Sequence, residues 1–494
     1  MEYLSELELL PTTQSSSTLL DNLVQTTPSE MQQLKDNMDN FFLVMMGCII
    51  LFMQAGFAFL EAGSVRSKNV TNILTKNFSE IVFGVPAYFA FGYAFTFGGG
   101  GGNSFIGLEY FCLIGLPPKQ YSHAFFQATF AATCTTIVSG AIAERSNYNG
   151  YIIFCVFVTG VIYPIQAHWG WNANGWLAQT EFHDFAGSGV VHLAGGSIAL
   201  VATYILGPRL GRFNHGSQKA ENPYSGHSMP LISLGVFIIL FGFMAFNGGS
   251  QGSISNAEDG DIVAHAVLST LIACCVGGGV VLFIVKLTPG GSWSLNKMMN
   301  GSLIGMVSIC SGADGFHPLI VCIVSGIAGC AYFVTSKLMI RMQVDDPVDA
   351  VAVHFAGGLV GMIASPIFMN NGVLFTGGSS RSLEMLLWNC IAVLVIIAWN
   401  MSSAIVFFKA LKMVNLFRAT QKEEIQGLDI LKHNEPAYPM EAYMNEMLST
   451  EDETVSYVIN LPKPENGPSL RSDSLFTIKR RISIKSENLP NRVV

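Results

Sequence analysis

Along most of the chain, apolar residues gather into runs of about 20, broken by short polar stretches. A helix needs about that many residues to cross roughly 30 Å of hydrocarbon. Eleven such runs are present, at about 40–61, 79–97, 123–143, 149–168, 185–206, 229–249, 261–286, 296–311, 316–338, 349–369 and 383–412. The eighth is short and rich in Gly and Ser, and the last is long enough to tilt or to run on past the bilayer. The pattern predicts an all-α polytopic membrane protein with eleven transmembrane helices.

Charge in the short loops orients these spans. Arg66, Lys68 and Lys76 follow the first, Arg145 the third, and Arg209, Arg212 and Lys219 the fifth. Lys286 and Lys297 follow the seventh, and Lys337 and Arg341 the ninth, whereas the alternate loops hold only Lys119 and Arg381. Positive charge stays inside, so the N-terminus is expected outside and the C-terminus inside, which requires an odd number of spans. Spans 1–5 and 6–10 end on matching segments, Val191-His192-Leu-Ala-Gly-Gly and Val353-His354-Phe-Ala-Gly-Gly. Five spans per half is odd, so the halves form two five-helix inverted repeats, with the eleventh helix left over. Such repeats place transport paths near the bilayer midplane, between the halves.

Composition agrees. Of 494 residues 50% are hydrophobic and only 12% charged, against about 25% charged in soluble domains. Fifty glycines suit helices that approach closely in lipid. A basic nucleic-acid surface is absent, and the net charge of −8 resides in loops and tails. Ten scattered cysteines make no Cys-x-x-Cys pair, which argues against a disulfide framework or zinc site. The first 40 residues lack the basic start and short apolar core of a cleaved leader, so the first span is expected to direct insertion.

Ionisable side chains within spans are costly and mark pathways. His192 and His354 each have a bland reading, as donors to backbone carbonyls that hold helices together; their matched positions favour a pore pair. Imidazoles offer donors and acceptors without fixed charge, with proton affinity near physiological pH. That is too little charge for a cation channel, and no carboxylate accompanies both at metal-ligand spacing. The first histidine follows a carboxylate in Asp184-Phe-Ala-Gly-Ser-Gly-Val-Val-His192, and the second follows Asp349 in the echo Asp349-Ala-Val-Ala-Val-His354. Eight helical positions put Asp184 and His192 roughly 12 Å apart, too far for a direct pair. Toward the outer ends lie Gln127-Ala-Thr-Phe130, His168-Trp-Gly-Trp171 and Phe243-Met-Ala-Phe246-Asn-Gly-Gly-Ser250. An interfacial aromatic belt explains most of the rings, but not a hydroxyl and several glycines among them. Aromatic faces attract cations, so these residues outline a cage for a small hydrogen-bonding cation.

Over about residues 40–440 the chain resembles the ammonium transporter superfamily (Amt, Mep and Rh proteins), and its Amt branch in particular. The motifs that carry this are the Asp184 to His192 segment, Gly140-Ala-Ile-Ala-Glu-Arg145, Phe246-Asn-x-Gly-Ser250, Asp345-Asp-Pro-Val-Asp349-x4-His354 and Gly427-Leu-Asp429. The resemblance implies ammonium transport without cofactor or metal, with ammonium and methylammonium as substrates, in a homotrimer of the plasma membrane. By motif position Phe130, Trp171 and Ser250 match the family's ammonium-recruitment site, Phe130 and Phe246 its stacked phenyl gate, and His192 and His354 its twin-histidine pair. Asp184 matches a buried carboxylate with a structural and electrostatic role. The position three before Phe246, often Trp in bacterial relatives, is Phe243, which cannot donate a hydrogen bond. An ammonium sensor with little flux, a Rh-type gas channel and a membrane metalloenzyme are the competing readings.

The expected organisation is an extracellular segment at 1–39, a transmembrane domain at 40–414, a cytoplasmic regulatory segment at 415–444 and a disordered tail at 445–494. In the third, Gly427, Asp429 and Tyr438 match a segment that in relatives packs on a neighbouring subunit and controls pore opening. Arg480-Arg-Ile-Ser483 reads either as a phosphorylation pattern at Ser483 or as a basic cluster for anionic lipid.

Overall fold

A computed structural model describes residues 16–99, 103–213, 224 and 226–439. Residues 1–15, Gly100 to Gly102, Lys219 and the tail with Ser483 and its arginines lie outside them. Eleven helical segments coincide with the eleven apolar runs. They are α1 (Glu30–Ser64), α2 (Ser67–Phe97), α3 (Tyr121–Ala141), α4 (Tyr148–Trp171), α5 (Ser188–Leu206), α6 (Met229–Gly249), α7 (Asp259–Leu287), α8 (Leu295–Ile309), α9 (Pro318–Arg341), α10 (Val351–Thr376) and α11 (Ser380–Met413). Nine of them, all but α3 and α8, are long and apolar enough to cross a membrane. With 15 residues, α8 rises only about 22 Å, short of the roughly 30 Å core.

Two helices start earlier than hydropathy predicts. The first is helical from Ser16, and just ahead of its apolar run Glu30-Met-Gln-Gln-Leu-Lys35 are strong helix formers whatever their polarity. The second starts at Ser67 rather than about 79, although its first turns carry Asn72, Lys76 and Asn77. All three are buried and bonded inside the protein, so the polar stretch is helix instead of loop.

Packing joins helices that are far apart in the sequence. The first helix lies along α6 so closely that a Cβ on Gly235 would stand 2.3 Å from the Leu60 nitrogen. Helix α5 contacts α10, and α11 packs beside α4, where Trp399 Nε1 donates to the Ile162 carbonyl at 3.0 Å. At the basic end the loops are tied by buried ion pairs. Glu144 accepts from Arg66 and, at 2.7 Å, from Arg209 Nη1; Arg209 Nε reaches Asp345 at 2.7 Å. Arg145, buried beside them, donates to the carbonyls of Asp345 (2.6 Å) and Gly207 (2.8 Å). The segments Gly140 to Arg145 and Asp345 to Asp349 are therefore joined by these bonds. Burial alone would raise the carboxyls of Glu144 and Asp345, but the bonded arginines hold both below the usual range.

Candidate functional site

Asp184 sits four residues before α5, and its Oδ2 accepts from the N–H groups of Gly189 (2.9 Å) and Val190 (2.8 Å). These are donors that a helix start leaves without a helical partner. Gly187 makes the preceding turn with φ of 93°, and a Cβ there would stand 3.0 Å from the Trp171 ring. The Trp171 indole donates to the Asp184 carbonyl at 2.9 Å. One residue thus fixes both the indole and the entry of α5, and it is not paired with His192.

From that entry α5 begins with a wide turn of π-helical type, Ser188–Leu193, in which the His192 N–H bonds the Gly187 carbonyl five residues back. The tenth helix opens alike, with a wide turn over Val351–Phe355 and the Ala356 N–H on the Val351 carbonyl. Here the capping carboxylate is Asp346, whose Oδ2 accepts from the Val351 N–H at 2.8 Å. Asp346 precedes His354 by eight residues, as Asp184 precedes His192. The pairing of Asp349 with Asp184 suggested by the sequence echo is therefore corrected. Asp349, at φ of 58°, instead binds Lys297 (2.7 Å) and Tyr332 (2.6 Å).

The two histidines meet edge on, Nδ1 to Nδ1 at 3.2 Å, with rings nearly parallel at 5.2 Å and both buried. One of those nitrogens must carry the hydrogen and the other accept it. The Nε2 atom of His192 is buried without a protein partner. A column of rings continues from the pair. His192 lies 5.5 Å from Phe246 and, almost parallel, 5.5 Å from Phe243. Phe246 lies 4.3 Å from Phe130 at a 35° tilt, and Phe130 meets Trp171 edge to face at 5.6 Å. The phenyl pair is thus in contact but tilted.

Above Phe130 opens a cavity of about 240 Å³ lined by Phe130, Trp171 and Ser250 together, with Gln127, His123 and Phe97. The Ser250 hydroxyl donates to the Phe246 carbonyl at 2.8 Å, so its oxygen faces a ligand as an acceptor. Two features escaped the sequence reading. His123 shares a helix face with Gln127 and Phe130, at offsets of four and three that could have revealed it. Gln166 is buried and donates to the Val190 carbonyl at the α5 entry, a contact with no signature in the sequence.

The three regulatory-segment residues lie together beside the start of α2 in the same chain. Gly427 has φ of 97°, and a Cβ there would stand 2.7 Å from Lys68. Asp429 Oδ1 accepts from the Asn72 N–H at 2.9 Å, and the Tyr438 hydroxyl meets His227 Nε2 at 2.8 Å.

Three comparisons bear on this arrangement. Residues 41–438 match the model of the Ammonium Transporter Family. The chain is 43% identical over 431 residues to a putative ammonium transporter 1 of Caenorhabditis elegans, covering 83% of this chain and 80% of that one. Among solved structures, a sensor Amt protein shares 31% identity at a TM-score of 0.75, covering 81% of this chain and all of its own. Mep2 of Saccharomyces cerevisiae shares the fold, with 23% identity, a TM-score of 0.69 and coverage of 78% of this chain and 88% of its own.

Proposed function

Because this chain belongs to the ammonium transporter family, whose members are multi-pass membrane transport proteins and not enzymes, we propose that it admits ammonium at the aromatic cavity and conducts ammonia past the histidine pair. Ammonium transport is the activity of the family; the route through this chain is our reading. Eleven spans carry it, as two inverted five-helix repeats plus α11, with the arginine-rich end in the cytoplasm. The working form is a homotrimer in the plasma membrane, and methylammonium shares the route.

The physics follows from the cargo. Ammonium and potassium are similar in size, so a pore passing the intact ion would separate them poorly, and moving either ion dehydrated through hydrocarbon costs many kcal/mol. Ammonium alone can shed a proton and cross as a small neutral molecule. Trp171 and Phe130 offer π faces to the cation, and the Ser250 oxygen accepts one of its N–H bonds. Phe130 and Phe246 close the way to hydrated ions. Beyond them His192 and His354 supply the polar atoms of the passage, and neutral imidazoles can accept or relay a proton. Asp184 acts from outside the path, by holding Trp171 and the α5 entry. Gly427, Asp429 and Tyr438 dock the tail on α2, from which it sets pore opening.

The observation that carries this reading is the buried pair at 3.2 Å, with the unpartnered His192 Nε2 beside it. Its test is voltage-clamped flux of ammonium and methylammonium against potassium. His192→Ala is expected to lower ammonium transport at least about tenfold, about 1.4 kcal/mol of barrier. Normal transport with intact potassium exclusion in that variant would sink the assignment. A second reading, a sensor with little flux of its own, draws on the 31% identity to a sensor Amt protein. Flux by the purified chain in liposomes separates the two.

A further inference from the structure

Beyond His354, on the side away from the phenyl rings, lies a second, smaller cavity of about 20 Å³, room for about one water-sized molecule. Leu303, Val348 and Val353 give it apolar walls, while His354, Thr136 and Glu61 give it polar ones. Glu61 is almost at the C-terminal end of α1 and only 2% exposed. Its Oε2 accepts from Asn77 Nδ2 at 2.7 Å and from the Ser139 hydroxyl at 2.9 Å. Gly140 leaves the room for it: a Cβ there would stand 3.1 Å from Glu61 Oε1 and 2.5 Å from Val348.

Both of those hydrogen-bonding partners are neutral, and neither offsets the charge of a carboxylate. Lys76 on α2 is the nearby cation, but its ammonium is turned to the loop after α3, donating to the Ser146 hydroxyl (2.6 Å) and carbonyl (3.1 Å). Glu80, also on α2, adds a second carboxyl that is bonded to Thr136 and Tyr151. A buried acidic group without a bonded cation, on the wall of a one-molecule cavity that a pore histidine also lines, has the chemistry of a cation site.

We propose that Glu61 is the counter-charge of an inner ammonium site, where ammonia leaving His354 takes up the proton that the histidine pair relays and is held as the cation before release to the cytoplasm. The inference rests on the transport reading above and adds a residue that the outer cage and histidine pair do not include. The cavity takes one small cation stripped of its water, and the carboxylate replaces part of that lost hydration. Thr136 lines the same cavity, with its hydroxyl bonded to Glu80. The outer cage and the inner carboxylate thus bracket a neutral passage, one at each end.

The test measures the apparent KM for ammonium from each face, using the full chain in right-side-out and inside-out membrane vesicles. Glu61→Gln keeps the side chain's size and a carbonyl acceptor but removes the charge. It is expected to raise the cytoplasmic-face KM at least about fivefold, leaving the outer-face KM within about twofold. Glu61→Asp, which restores the charge, is expected to return the cytoplasmic-face KM to within about twofold of the wild type. Unchanged values in Glu61→Gln, equal changes at both faces, or an equal defect in Glu61→Asp would each overturn the site. If Glu61→Gln does not accumulate, Thr136→Val probes the same cavity, and a cytoplasmic-face KM that does not rise overturns it. Wild-type vesicles that move no ammonium would instead overturn the transport reading on which the site depends.

Discussion

A serine hydroxyl that gives its hydrogen to the carbonyl four residues back has only acceptor capacity left for a ligand. Ser250 is in that state, and it faces a cavity whose other walls include the rings of Phe130 and Trp171. Ammonium, all donors, fits such a wall better than a molecule needing donors. A cation over an aromatic face gains about 0.5–2 kcal/mol, so Trp171→Leu should raise the outer-face KM for ammonium by about 2- to 30-fold. Surface abundance measured on the same cells checks the claim; if abundance falls in step with uptake, Trp171 serves folding and not capture. The cage and the two histidines were legible because rings, a hydroxyl and imidazoles stand out against apolar runs. Glu61 was not, since one carboxylate near a span end reads as loop charge until Ser139, Asn77 and His354 are seen around it.

Helix ends govern the next scale. Burial, and the charge of Asp349 beside it, push the Asp346 carboxyl up to about 6, although backbone N–H groups pull the other way. A folded-state value above the ordinary carboxyl value of about 4 means that stability from this group is full below about pH 4 and lost as pH rises through 6. At neutral pH the useful part of Asp346 is therefore its acceptor oxygen on Val351. Asp346→Asn keeps an acceptor and should leave thermal stability in detergent unchanged or slightly raised. Asp346→Ala removes it and should cost about 0.5–2 kcal/mol. Equal melting of the two variants would contradict the capping role. Hydropathy picked out runs that overlap α1 to α11 but not the short helix Gln421–Gln426, and it misplaced the start of α2 by 12 residues, because Lys76 and its neighbours are bonded internally. The mate of Asp184 was misread for a related reason. Asp349 is nearer to His354 in sequence, but only an eight-residue spacing reaches the N–H groups of the first turn.

Across the whole molecule, Arg209 joins the loop after α3 to the loop after α9, bonding Glu144 on one side and Asp345 on the other. It is 2% exposed. Removing it takes the most buried cation from two buried carboxylates and leaves Glu144 with Arg66 and Asp345 with Arg212, so Arg209→Ala should cost up to about 3–5 kcal/mol, read as a lowered melting temperature in detergent. A loss under about 1 kcal/mol would show that water reaches these loops readily. Asp345 lies below the usual carboxyl range, so its contribution is present above about pH 4 and fades only as pH falls through its lowered value. Mild acidification leaves this tie intact. Lys and Arg placement gave these loops an expected side from sequence alone, whereas their mutual bonds were not legible, being contacts between residues up to 200 positions apart.

The wide turns under the two pore histidines have a geometric corollary. A turn with one residue too many is a phase shift locked into a screw, and each helix carries the shift just where its imidazole points inward. Were Ser188–Leu193 to rewind to the ordinary 3.6-residue pitch with no residue removed, everything on one side of it would swing by about 100° relative to the other. The imidazole would then leave its partner without any change to its own chemistry. The irregularity is the same in both helices, so what sets the two imidazoles against each other is not the histidines alone but a matched pair of misfits in otherwise regular screws.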